Sequence, residues 1–114
     1  MAQRNLNLYL EDILEAILAI ESYMNDVSER QFELNIEKQD AVIRRLEIIG
    51  EASKKIPDDV RNANSSIPWR QMAGMRDIVI HEYYGVSIGM IWKVATSDIP
   101  NLKLEIEQLI KDFT

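Results

Sequence analysis

The apolar residues of the chain recur every three or four positions along most of its 114 residues. Residues at this spacing lie on one face of a helix, so the pattern predicts helices that each bury one face. The first stripe predicts a helix over roughly residues 6–26 and consists of Leu10, Ile13, Leu14, Ile17, Ile20 and Met24.

A second stripe predicts a helix from about residue 33 to residue 56. Its members are Ile36, Val42, Leu46, Ile49 and Ile56. The helix should end before Pro57, because the residue before a proline disfavours the helical conformation. Upstream, Ser28 is a residue type that caps helix N-termini. Downstream, the polar connection DDVRNANSS at 58–66 predicts a single short helical turn.

The remaining helices are marked by the residues at their ends. Pro68 suits the first turn of a third helix, and Gly85 suits the left-handed residue that ends it. Ser87 is expected to cap a fourth helix, and Asp98, with Pro100 two residues later, to begin a final one. Short links between helices favour antiparallel neighbours.

Together these patterns predict the fold class. We expect an all-α, up-and-down antiparallel bundle of four main helices plus a short extra helix, forming a single domain over residues 1–114. No stretch alternates apolar and polar residues in the way that a half-buried strand requires.

Charge limits the kinds of partner that the chain can have. Its net charge of −6 argues against a broad, non-specific coat for nucleic acid, but a local site for one phosphate remains compatible with it. Basic residues do gather in the middle third, where they form either a solvated helix face or a phosphate-tracking patch. They are Arg44, Arg45, Lys54, Lys55, Arg61 and Arg70.

Several functional classes are disfavoured by residue types that are rare or missing. The chain has no cysteine and one histidine, so disulfide and thiol chemistry are excluded and a transition-metal site is not expected. The carboxylates near the N-terminus, Glu11, Asp12 and Glu15, fit a solvated helix face better than a magnesium site. No signal peptide or membrane span is recognisable, so we expect a cytoplasmic protein that has no membrane association and no cofactor.

The segment with most chemical content is IPWRQMAGMRDIVIHEYYGVS, residues 67–87. It holds the single histidine, His81, with Arg76, Asp77 and Tyr83 nearby. On a helix, Asp77 and His81 lie one turn apart on the same face, where a carboxylate orients an imidazole and favours its protonated form. These residue types make the segment a candidate catalytic site.

Arg76 and His81 do not share a helix face. Positions five residues apart are separated by about 140° around an ideal helix axis. The two side chains can therefore act on one small group only if the helix loosens before Gly85 or if a second copy of the chain completes the site.

The residue types suit metal-free cleavage of a phosphodiester. Arginine binds phosphate through a planar, always-charged fork, and histidine is the usual general acid or base near neutral pH. In RNA, the 2′-hydroxyl is the internal nucleophile. One histidine cannot act as base and acid in the same step, but two copies of His81 facing each other across a dimer could do so.

At these residues the chain resembles the HepT-like branch of the HEPN family, the toxin half of a HepT/MntA toxin–antitoxin pair. Arg76, His81 and Tyr83 match the family's Arg-x4-His-x-Tyr motif. The surrounding segment 67–87 resembles the whole family segment, and AVIRRLEIIGEASKKIP at 41–57 resembles the second-helix signature.

This resemblance implies a homodimer of helical bundles whose motif helices meet at a cleft. It also implies metal-independent RNA cleavage with Arg76 and His81 as catalytic residues. A cognate nucleotidyltransferase antitoxin would silence the enzyme by attaching AMP to Tyr83. One position departs from the family pattern: Asp77 replaces a residue that is often Asn, and a carboxylate there repels substrate unless it is turned toward His81. Glu51 and Arg44 could line the cleft without being catalytic.

Two other functions stay open at the level of the sequence. The acidic net charge is compatible with a non-catalytic dimeric binding partner of a nucleotidyltransferase. A nucleotide-binding helper could hold a phosphate with Arg76 and a base against Tyr84.

Overall fold

The computed structural model describes residues 2–82 and 88–113, and every regular element in these ranges is helical. The all-α fold class predicted from the sequence is confirmed. The helices are α1 Ala2–Met24, α2 Glu29–Leu34, α3 Ile36–Lys54, α4 Asp58–Ala63, α5 Trp69–Glu82, α6 Ile88–Lys93 and α7 Ile99–Asp112, with a π-helical turn at Val94–Asp98. The described helices include none that is both long and apolar enough to cross a membrane.

The core is built around α1, which packs against α3 and α7, while α3 also packs against α5. The predicted stripe of α1 is confirmed, because Leu10, Ile13, Ile17 and Ile20 are each 0% exposed. Burying one such side chain contributes roughly 1.5–3 kcal/mol to folding. The hydrophobic face of α1 is therefore a main source of the bundle's stability.

The segment predicted as the second helix, 33–56, is interrupted at Asn35, which separates α2 from α3. Ser28 caps the short α2 in a capping box, in which its hydroxyl accepts from the Gln31 backbone N–H at 3.1 Å and Gln31 Oε1 accepts from the Ser28 N–H at 2.8 Å. Asn35 then ends α2 and caps α3 by accepting from the Lys38 N–H at 2.9 Å. Asparagine favours such a break because its side chain competes for backbone hydrogen bonds. The assignment of Ile36 to the buried stripe is wrong, because this side chain is 70% exposed.

The expected short turn between the second and third main helices is α4, Asp58–Ala63. Pro68 immediately precedes α5, and its carbonyl accepts from the Met72 N–H at 3.0 Å. Trp69 is buried, and its Nε1 donates to the Asn64 carbonyl at 3.1 Å. This bond ties the start of α5 to the end of α4. The predicted stop at Gly85 and cap at Ser87 lie outside the described residues.

The predicted final helix is α7, which begins at Ile99 directly after Asp98, but α6 leads into it through the π-helical turn without a side-chain cap. Asp98 has helical backbone angles and makes no side-chain cap bond. The Ile99 N–H donates to the Val94 carbonyl, five residues back. Pro100 has no N–H and cannot donate to a carbonyl in the preceding turn. A local change to the wider π register keeps the helix continuous across this proline.

Candidate active site at the meeting of α3 and α5

Arg76 lies where α3 approaches the backbone of α5 closely. The contact is made possible by Gly50 of α3, which has no side chain. A Cβ atom at Gly50 would lie 2.8 Å from the Arg76 backbone nitrogen, 2.9 Å from the Arg76 Cβ and 3.2 Å from the Ala73 carbonyl oxygen. These distances are too short for a methyl group, so glycine fixes the spacing of the two helices at the candidate catalytic arginine.

The side chain of Arg76 forms an ion pair with Glu51, the residue that follows Gly50 in α3. Arg76 Nε lies 2.9 Å from Glu51 Oε1, and the two side chains are 43% and 45% exposed. The guanidinium is therefore held from one side by α3 while much of it remains open to solvent. Arginine binds phosphate through paired N–H groups, and a half-exposed guanidinium can still offer them.

His81 lies in the last turn of α5, which remains α-helical from Trp69 through Glu82. The helix does not loosen between Arg76 and His81, so positions 76 and 81 are about 140° apart around its axis. Of the two arrangements that the sequence allows, loosening of the helix is not seen over residues 76–81, and completion of the site by a second copy of the chain stays a prediction.

Other predicted site residues are described only in part. Asp77 is exposed. Its expected contact with His81 stays a prediction, because the side chain of His81 is outside the described part of the structure. Tyr83, the expected site of AMP attachment, and Tyr84 also lie outside the described residues.

Four of the basic residues of the middle third line two different grooves. Arg44 and Lys55 line a groove of about 250 Å³ together with Tyr9, Asp12 and Glu51. In this groove Lys55 Nζ lies 5.6 Å from the centre of the Tyr9 ring. This groove lies between α1 and α3, so the expectation that Arg44 and Glu51 line the cleft between the motif helices of a dimer stays a prediction.

A second groove, of about 590 Å³, contains Arg61 and Arg70 between α4 and the start of α5. Two of the arginines are paired with acids one turn away on their own helices, Arg44 with Glu47 and Arg61 with Asp58. Pairing reduces the positive charge that each groove offers to an anion. In the parts of the chain that the structure describes, no three His, Cys, Asp or Glu residues are grouped closely enough to hold a metal ion.

From the sequence alone, Gly50 has no assigned role and Glu51 is expected only in the lining of a cleft, whereas the structure brings both residues against Arg76. A glycine inside a helix lowers helix stability relative to alanine, so its presence in the middle of α3 is a signal that a close contact requires it. The sequence does not show which residue makes the contact, because Arg76 belongs to a separate helix.

Comparison with known proteins places the chain in a family. The family described as "Ribonuclease HepT-like" matches residues 13–109. The chain is 50% identical over 103 residues to "Probable ribonuclease HepT" of Thermococcus cleftensis, covering 90% of this chain and 94% of the relative. It is 43% identical over 113 residues to "Putative RNase MJ0125" of Methanocaldococcus jannaschii, covering 99% and 97% of the two chains.

A third relative, also from Methanocaldococcus jannaschii, is longer. "Gamma-glutamylcyclotransferase and putative RNase MJ0434" is 46% identical over 111 residues, which cover 97% of this chain and 50% of the relative. No solved structure matches the chain significantly. The matches confirm the resemblance seen in the motif segments and the ribonuclease class expected from them. The chain belongs to the HepT-like ribonuclease family.

Proposed function

We propose that this chain is a metal-independent RNA endonuclease that acts as the toxin of a toxin–antitoxin system. The observation that carries the proposal is the guanidinium of Arg76 in a HepT-like ribonuclease, paired on one side with Glu51 and 43% exposed, five residues before the single histidine. An arginine side chain with this exposure can bind a phosphate while it stays paired with Glu51.

The reaction assigns separate tasks to Arg76 and His81. The 2′-oxygen of a ribose attacks the neighbouring phosphorus, and His81 of one copy accepts the 2′-hydroxyl proton. Arg76 stabilises the added negative charge on the phosphorane. The bond from phosphorus to the 5′-oxygen then breaks, and His81 of a second copy donates a proton to the leaving oxygen. The products are a cyclic phosphate and a free 5′-hydroxyl.

A homodimer supplies the two histidines that this scheme requires. The regular helical path of α5 supports such a dimer, because one chain holds positions 76 and 81 on well-separated sides of the helix. Residues that lie close to the axis of a two-fold dimer meet their own copies, so two copies of His81 placed there can face one phosphate. Asp77 adds a negative charge beside the site, which repels RNA unless the carboxylate is turned toward His81.

Silencing involves Tyr83 and a partner enzyme. A nucleotidyltransferase antitoxin transfers AMP to the Tyr83 hydroxyl, which attacks the α-phosphorus of a nucleoside triphosphate and releases pyrophosphate. The added nucleotide places bulk and negative charge two residues after His81, where an RNA phosphate is expected to bind.

The experiment is RNA cleavage by the purified chain with and without EDTA. We expect cleavage that EDTA does not reduce and that His81→Ala and Arg76→Ala abolish, leaving products with cyclic phosphate ends. Absence of cleavage by the unmodified chain would contradict the proposal. Binding to the nucleotidyltransferase without any cleavage would instead favour the non-catalytic partner that the net charge of −6 allows.

A further inference from the structure

The ion pair between Glu51 and Arg76 differs from a second ion pair that α3 forms among the described residues. Arg44 and Glu47 lie one turn apart on the same helix, so their pairing constrains neither side chain relative to another element. Glu51 and Arg76 belong to different helices. Because both residues are more than 40% exposed, the pair contributes little to stability, and its effect on geometry is the more important property.

The pairing uses one particular nitrogen of the guanidinium. Glu51 Oε1 lies 2.9 Å from Nε, the nitrogen nearest the backbone. An arginine held at Nε still has the two terminal nitrogens, whose parallel N–H groups match two oxygens of a phosphate. The contact therefore restricts rotation of the side chain while leaving its phosphate-binding end available.

The backbone beneath this pair is also fixed. Gly50, the residue before Glu51, allows α3 to lie against the backbone of Arg76 itself, so closely that a Cβ atom at position 50 would be 2.8 Å from the Arg76 nitrogen. The carboxylate and the guanidinium thus start from helices that cannot shift independently at this point. Such support places a catalytic group within the small tolerance that efficient reaction requires.

We propose that Glu51 is a positioning residue, which orients the guanidinium of Arg76 toward the phosphate during RNA cleavage. The inference rests on the proposed function, since it assigns a role within the same site. Glu51 touches the catalytic arginine and not the substrate, so it acts on the reaction through Arg76.

Positioning has a kinetic signature that electrostatics alone does not produce. A carboxylate beside a phosphate site repels RNA, so its removal should strengthen binding or leave it unchanged. Loss of orientation should at the same time slow the chemical step. Loss of orientation therefore lowers kcat, whereas loss of repulsion lowers KM or leaves it unchanged, so the two effects can be measured separately.

The test uses the full chain, an RNA oligonucleotide and three variants. We expect Glu51→Ala to lower kcat by about tenfold to a hundredfold without raising KM. Glu51→Gln keeps an oxygen close to Nε but loses the negative charge, so it should retain more of kcat than Glu51→Ala does. Glu47→Ala, the matched control, removes the second ion pair of α3 and should leave kcat and KM unchanged. Thermal unfolding of all three variants should stay close to that of the unmodified chain.

A double variant shows whether Glu51 acts through Arg76. If it does, Glu51→Ala should cause no further loss of kcat in a chain that already carries Arg76→Ala. If the unmodified chain is active, two results would overturn the inference alone. In the first, Glu51→Ala keeps full kcat. In the second, Glu51→Ala lowers kcat by the same factor whether or not Arg76 is present. An unmodified chain that cleaves no RNA would overturn the proposed function, and this role of Glu51 with it.

Discussion

α1 and α5 are both helices that bury one face, but they use their remaining surface differently. In α1 the buried stripe includes Leu10, Ile13 and Ile17, each 0% exposed, and its task is to fill the core. In α5 the buried Met75 is followed directly by Arg76, a charged residue that is 43% exposed and paired with a different helix. The first region determines whether the chain folds, while the second depends on how two helices are spaced once it has folded.

The difference also concerns how specific each residue must be. An aliphatic core accepts other apolar residues of similar volume at modest cost. The contact at Arg76 accepts only glycine at position 50, because the neighbouring atoms are backbone atoms and the Arg76 Cβ, which cannot move aside unless α5 itself moves. Substitutions in the core face of α1 should therefore reduce mainly stability, whereas substitutions at the contact around Arg76 should also reduce activity.

The largest effect on stability is expected in α1. Ile13→Ala should lower the free energy of unfolding by about 2–5 kcal/mol, because it leaves a cavity in the centre of the core. Denaturant unfolding measures this change. Leu18→Ala is the control on the same helix, since Leu18 is 45% exposed and should lose much less. Similar losses at both positions would contradict the division of α1 into a buried and an exposed face.

The next effect is expected at the contact between α3 and α5. Gly50→Ala should destabilise the chain by about 1–3 kcal/mol, because the new methyl group collides with the Arg76 backbone. It should also reduce RNA cleavage under conditions in which the variant remains folded, because the contact sets the position of Arg76.

Gly74→Ala provides the matched control for Gly50→Ala. A Cβ at Gly74 meets no atom within 4 Å, so alanine there should stabilise α5 by about 0.5–1 kcal/mol. Unfolding and cleavage are measured on both variants. If Gly50→Ala is as stable and as active as the unmodified chain, the two helices are not held together at Arg76 in the way described.

The smallest effect is expected at Asp77, on the exposed side of α5. Asp77→Asn removes a negative charge near the proposed phosphate site and should lower KM for RNA by about two- to fivefold at low salt, the size expected of one screened charge. Steady-state cleavage at two salt concentrations measures this change. Asp59→Asn, an exposed acid in α4, is the control. A large loss of kcat in Asp77→Asn would instead show that the carboxylate serves His81.

The sequence was sufficient for features that depend on local order. The stripe of α1 and the cap at Ser28 were predicted correctly, since helix periodicity and capping involve residues within one or two turns of each other. The break at Asn35 was missed because apolar residues continue on both sides of it. The π-helical turn was missed because Asp98 and Pro100 have the spacing of a helix start.

The residue types of the candidate site were proposed from the sequence, whereas the contacts that support Arg76 could not be predicted from it. Arg76 and His81 were identified from the motif segment, and the regular course of α5 agrees with their separation around the helix. The pairing of Arg76 with Glu51 requires two helices to pack in one particular register. No local pattern encodes that register, so only the structure gives it.

The central claim is that the reaction uses groups from two copies of the chain, and a hybrid dimer tests it most directly. One unmodified chain and one His81→Ala chain would carry different affinity tags, so that the mixed dimer can be purified and its RNA cleavage rate compared with that of the unmodified dimer. If each phosphate requires a histidine from both chains, the hybrid should retain only a few per cent of the rate or less. A hybrid that keeps about half of the rate, as expected of two independent sites, would contradict the account.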